Sequence, residues 1–308
     1  PALVVASAYP VWLADAQIRQ YGLLGMAASA ALWLALRGLD RRLEGREVAG
    51  YLLACCASPL VNYGGFLILA GLGLGLALHP QAADRRRLLG ATALGMLPGL
   101  AWLTFSLLGP ISPDTVHTGD WAPRLPALAY VPTYLAGLGL PPAWPGLRSL
   151  SGSWAGPLAT LLGLGLWGLW LRGGVRLCRD GRRGEALVLA AVFLVPLAGF
   201  VAAEVLGAQV FQPRYLVPVA AAFALLLLVG AGRWAGALVT LAVGVNLVTA
   251  ALFPGDPFFW NQDWPGVARW IAQRQQSGDV LAASLPYGLM GLNYNSARAD
   301  VHVDFSQP

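Results

Sequence analysis

"DAQIRQYGLLGMAASAALWLALRGLDRR", residues 15–42, holds a polar cluster, an apolar run from Leu23 to Leu36, and a basic exit at Arg37, Arg41 and Arg42. An acid, two amides, an arginine and a tyrosine stand at the mouth of the run, where charge is costly unless something uses it. A helix needs about 20 apolar residues, with a range of about 17 to 25, to cross a bilayer core. The stretch predicts a membrane helix with a polar rim at one end and a basic anchor at the other.

The rest of the chain has the same character. Its 308 residues are 57% hydrophobic and 11% charged, whereas a soluble domain is roughly 25% charged. The mean hydropathy is +0.60. Further apolar runs occur at Leu60 to Leu78, Leu88 to Leu108, Trp154 to Leu171, Ala186 to Ala203, Tyr215 to Ala231 and Trp234 to Phe253. Val48 to Pro59 is shorter and reads as a tilted or partly inserted helix that ends at Pro59 and forms a hairpin with the next. The expected fold is an all-α polytopic membrane protein of about eight membrane helices.

The net charge of +5 rests entirely on arginine, since the chain has no lysine. Those arginines lie in short loops between apolar runs and not along one helical face with interleaved aromatics, which argues against a nucleic-acid partner. One set of connections holds Arg37, Arg41, Arg42 and Arg46, then Arg85 to Arg87, then Arg172, Arg176, Arg179, Arg182 and Arg183, then Arg233. The other holds Arg19, Arg124, Arg148 and Arg214. The positive-inside rule turns the first set to the cytoplasm. The alternation closes only if Val48 to Pro59 crosses.

Two longer polar stretches then fall outside. Gly109 to Ser153 is rich in Pro, Gly and Trp, with Leu125 to Leu140 as an interfacial helix. The tail from Pro254 reads as a small extracytoplasmic α/β element, with Asp263 capping a helix from Trp264 to Gln275 and "DVLAAS" as a strand. The domains are therefore residues 1–253, in the membrane, and 254–308, outside it. Pro1 lies inside an apolar run and "VHVDFSQP" ends abruptly, so further helices are expected before the first residue and more of the tail after the last.

Cys55, Cys56 and Cys178 form no CxxC pair and read as packing residues. His79, His117 and His302 have no zinc-ligand spacing. Gly163 to Gly168 spells GxGxxG, but it lies within a membrane run without a preceding strand, so it reads as helix packing and not as a dinucleotide fingerprint. Gly71/Gly75 and Gly95/Gly99 are small-xxx-small pairs that let helices approach closely.

The informative feature is a shared level. Arg19 precedes Tyr21 and Arg214 precedes Tyr215, each at the outer N-terminal end of an inward-running helix. Helix N-termini favour anions, and an arginine beside each adds a bidentate phosphate donor. Asp15 lies just before Arg19, and Glu204 closes the outward helix that begins near Arg183, about 30 Å away at 1.5 Å per residue. Each of these charges alone also reads as an interfacial ion pair, Arg19 with Asp15 and Arg214 with Glu204. Together they suit a lipid phosphate and a hydroxyl that must lose a proton.

"YPVWLADAQIRQYGLLGMAASAALWLALRGLDRR" resembles a segment of bacterial GT-C glycosyltransferases, in the protein O-mannosyltransferase-like and aminoarabinose-transferase-like branch (glycosyltransferase family 39 type). "FQPRYLVPVAAAFALLLL" is similar to that family's Phe-x-x-Arg-Tyr-Leu-x-Pro helix start, and "DWPGVARWIAQRQQSGDVLAASLP" to an element after its last membrane helix. The three pieces follow the family's order over most of the chain. Gln17 stands where the family usually has Glu, and Asn62-Tyr63 where His-Tyr is common.

The resemblance implies transfer of a sugar from a polyprenyl-phosphate-sugar, as donor substrate, to an acceptor protein, lipid or glycan outside the plasma membrane. It implies that Arg19, Arg214, Tyr21 and Tyr215 hold the donor phosphate. Asp15 and Glu204 are the carboxylates present for proton transfer, because the family's principal catalytic Asp lies in an external loop upstream of this sequence. No metal-ligating residues are expected. The rival readings are a transporter or lipid flippase, which tends to show internal repeats and charged helix interiors, and a non-catalytic scaffold.

Overall fold

A computed structural model describes residues 21–79, 83–108, 128, 131–135, 155–205, 213–252, 270–271 and 273–274. The described residues are mostly helical and contain no strand. Helices run at Tyr21–Asp40 (α1), Gly45–Val61 (α2), Gly64–Ala77 (α3), Arg85–Leu108 (α4), Val131–Leu135 (α5), Ala155–Arg179 (α6), Arg183–Val205 (α7), Ala220–Ala231 (α8) and Ala235–Leu252 (α9). Two 3-10 segments, Pro213–Val219 and Gly232–Trp234, precede α8 and α9.

Three helical stretches are long and apolar enough to cross a membrane, namely Gly22–Asp40, Arg183–Ala203 and Leu216–Val245. The protein is membrane-embedded on that ground. Gly64–Ala77 is apolar but shorter, spanning about 21 Å at 1.5 Å per residue against a hydrocarbon core of about 30 Å. The expected α/β element and most of the tail lie outside the described residues. At Trp270, the tail is helical, as expected, with the Arg274 guanidinium 4.7 Å from the ring centroid.

The expected break at Pro59 does not occur, since α2 continues to Val61. Proline lacks the N–H that would bond back to residue 55, but the helix ends within a turn, where few such bonds remain to be lost. Asn62 ends it: its N–H donates to the Ser58 carbonyl at 3.2 Å, and its Oδ1 accepts from Gly64 N–H at 2.8 Å. The expected helix start at Tyr215 is also displaced. Pro218 cannot donate to the Arg214 carbonyl, so the chain begins as a 3-10 turn and becomes α-helical only at Ala220. Between α8 and α9, Gly232 takes φ +59°, a conformation that disfavours side chains.

Glycines set the interhelical distances. A Cβ at Gly71 would meet the Ala191 carbonyl oxygen at 2.5 Å, and one at Gly75 would meet Val188 Cα at 2.6 Å, so α3 and α7 pack backbone to backbone. Gly95 lies against Cys55, and Gly99 against Pro59, where α4 crosses α2. Both small-residue pairs thus do what their spacing predicts. In the GxGxxG run Gly163 is buried, whereas Gly165 and Gly168 face open space. The close crossing of α6 and α8 falls instead at Gly173 and Gly230, each of whose missing Cβ faces a carbonyl of the other helix, Leu226 and Leu169 respectively.

Cys55 is buried in the α2–α4 contact and Cys56 is half-buried, whereas Cys178 is exposed on the last turn of α6. An aromatic group of Trp167, Trp170, Phe193 and Phe223 fills the space between α6, α7 and α8, with ring centroids 5.2–6.2 Å apart.

Candidate functional site

The arginine-rich helix ends are tied to one another. Glu47 accepts from Arg41 at 2.6 Å and pairs with Arg37 at 3.1 Å, joining the end of α1 to the start of α2. Hydrogen bonding from Arg41, then from the Glu44 backbone, with the fields of Arg37 and Arg41, holds the Glu47 carboxyl below its ordinary range despite some desolvation. Asp84 is buried and accepts from Leu43 N–H at 3.0 Å, while Arg87 donates to it at 3.2 Å and to the Leu43 carbonyl at 3.0 Å. The start of α4 is thereby fixed to the α1–α2 turn. Arg85 reaches the Ala77 carbonyl at 3.0 Å, and Gly184 sits against the His79 ring, which brings in the end of α3 and the start of α7.

The other end of the bundle carries the predicted site. Its elements are the start of α1, the α2–α3 turn, the end of α7, α5 and the 3-10 segment Pro213–Val219. The 3-10 segment packs against α1, α5 and α7, and its own Leu216, Val217 and Val219 are buried. Its register on α1 is fixed where a Cβ at Gly25 would lie 3.7 Å from Pro218 Cα. Gly25 is four residues past Tyr21, and Pro218 four residues past Arg214. Counting back at about 1.5 Å per residue on α1 and about 2.0 Å on the 3-10 segment brings Tyr21 and Arg214 to nearly the same height.

The backbones that carry Arg214 and Tyr215 thus start near the height of Tyr21, and Glu204 lies in the last turn of α7, which packs elsewhere along its length on the 3-10 segment. For these four the backbone alone is described, and Asp15 and Arg19 lie outside the described residues. Asn62, where the resemblance has a histidine, is engaged in its own turn through Gly64 N–H.

Residues 125–140 were expected to lie along the interface. Within that stretch α5 is instead inside the bundle, with Val131 and Leu135 buried against α6 and the 3-10 segment. Trp167 Nε1 donates to the Leu128 carbonyl at 3.2 Å. Trp167 is 12 residues before Arg179, about 18 Å along the helix, so the connection dips towards mid-bundle. A carbonyl left without a helical partner is tolerated at such depth because protein surrounds it and supplies a donor. Nothing in the residue pattern of this loop signalled the descent.

Compared with known proteins, the chain matches no family model, no curated protein and no solved structure. Among the described residues, no three His, Cys, Asp or Glu side chains group to hold a metal ion.

Proposed function

We propose that this chain is the membrane part of a GT-C-type glycosyltransferase that moves a sugar from a polyprenyl-phosphate donor to an acceptor outside the bacterial plasma membrane. One observation supports the reading above others: the 3-10 segment bearing Arg214 and Tyr215 is seated on α1, with Pro218 against Gly25, one turn past Tyr21. In this reading Arg19 and Arg214 converge on the donor phosphate, and the two tyrosines hold the rim at the interface. The arginine-rich end faces the cytoplasm, as the positive-inside rule directs.

The acceptor oxygen attacks the anomeric carbon and the bond from that carbon to the phosphate oxygen breaks, inverting the centre. An external carboxylate takes the acceptor's proton, with Asp15 and Glu204 the ones this chain supplies. The charge that develops on the departing phosphate is stabilised by the arginines, which is where the rate gain arises. No nucleotide pocket is needed, because the sugar arrives on a lipid.

The test is transfer from a radiolabelled polyprenyl-phosphate sugar in membranes carrying the complete protein. Arg214→Ala should reduce transfer by at least a hundredfold at unchanged protein level. Full transfer by that variant would remove Arg214 from the site, and substrate flux without covalent transfer would favour the transporter reading.

A further inference from the structure

At the arginine-rich end, α1, α6, α7 and α8 leave a cleft of about 270 Å³, the volume of about nine water molecules at about 30 Å³ each. Its inner wall is apolar, with Leu177 and Leu189 buried behind it. Two cations and two anions line it, Arg37, Arg182, Asp40 and Glu185. The lining is thus neutral overall but sharply divided in charge.

Each charge has a defined state. The Arg37 guanidinium lies 4.8 Å from the Trp33 ring centroid and pairs with Glu47 at 3.1 Å, leaving further N–H donors of its five. Arg182 is held in a fork by Glu185, its Nε at 2.6 Å from Oε1 and its Nη2 on Oε2. Asp40 is exposed and takes no ion pair among the described residues, although its field reaches Arg182. Trp33 is exposed one turn from Arg37, where an aromatic belt meets lipid.

We propose that this cleft binds the headgroup of a zwitterionic aminophospholipid, with the phosphate on Arg37 and the primary ammonium on Asp40. A free ammonium donates hydrogen bonds to a carboxylate, which a quaternary choline cannot do and a glycerol headgroup does without charge. The apolar wall takes the start of an acyl chain. The site is independent of the donor site, which lies at the other end of the bundle.

The test uses the chain purified in mild detergent and offered dioleoyl phosphatidylethanolamine, phosphatidylcholine and phosphatidylglycerol at equal concentration, with retained lipid read by native mass spectrometry. The expected result is several-fold retention of phosphatidylethanolamine over the other two. Asp40→Asn should remove that preference, and Asp40→Arg should shift it to phosphatidylglycerol. Asp40 is exposed, so both variants fold. Arg19→Ala/Arg214→Ala should leave the preference intact. Equal retention of all three lipids, or a preference that survives Asp40→Asn, would each overturn the proposal.

Discussion

Gly25 on α1 faces Pro218 on the 3-10 segment, with room for a methyl group between them, since a Cβ would lie 3.7 Å from Pro218 Cα. This contact sets the height of Arg214 and Tyr215 relative to Tyr21. Gly25→Ala should therefore behave as wild type, whereas Gly25→Leu should push the 3-10 segment outward. The expected outcome is a roughly tenfold loss of polyprenyl-phosphate retention in Gly25→Leu alone, measured by native mass spectrometry. Equal retention by the two variants would mean that the contact does not set the site.

Gly173 and Gly230 meet each other's helix backbone, while Gly165 and Gly168 face open space. Gly173→Ala and Gly230→Ala should each destabilise the bundle towards the upper end of the about 1–3 kcal/mol typical of overpacking. Gly165→Ala and Gly168→Ala should be neutral or stabilising by up to about 1 kcal/mol, the helix propensity difference. Thermal unfolding in detergent would rank the four, and a uniform response would contradict the α6–α8 crossing.

Much of the bundle could be read from the sequence because apolar runs, arginine placement and small-residue spacing are local signals. The positions of α1, α3 and α7, and the Gly71/Gly75 and Gly95/Gly99 contacts, followed from them. Pro59 and Pro218 misled in opposite directions. A proline near a helix end removes little, whereas one four residues after Arg214 removes a bond the first α-turn needs. The Gly173/Gly230 crossing and the descent of Leu128 to Trp167 depend on which helices become neighbours, which no single-chain periodicity encodes. The proposed site is a level of charges read from the sequence, and what the structure adds is the seating of the 3-10 segment on α1 at Gly25 and Pro218.

Thr92 Oγ1 donates to the Leu88 carbonyl at 2.8 Å, so its one proton is used, and the Tyr51 hydroxyl donates to it at 2.6 Å. Both groups are buried between α2 and α4. Thr92→Val should cost about 1–3 kcal/mol, because it takes away the oxygen acceptor of the buried Tyr51 hydroxyl and leaves it only the weaker Cys55 sulfur. Tyr51→Phe should cost less, since Thr92 keeps Leu88. Chemical denaturation of both variants checks the order, and the reverse order would overturn the assigned direction of the bond.

Glu47 links the pH dependence to the α1–α2 turn. Its carboxyl is held below the ordinary value of about 4.3, first by the hydrogen bond from Arg41. A depressed carboxylate contributes stability that is fully present above the unfolded pKa and is lost as pH falls through the folded one. Wild type should unfold at a higher temperature than Glu47→Gln at pH 7, and the gap should close progressively below about pH 4. A gap that stays constant down to pH 3 would show that the ion pairs with Arg37 and Arg41 contribute nothing.

The most direct test of the central claim is native mass spectrometry of the chain purified in mild detergent, comparing wild type with Arg19→Ala/Arg214→Ala. The account predicts a co-purified polyprenyl phosphate, or its glycosylated form, that disappears in the double variant while the folded mass is retained. Absence of such a lipid from wild type, or its retention in the variant, would contradict a donor-phosphate site at the Tyr21 end of α1.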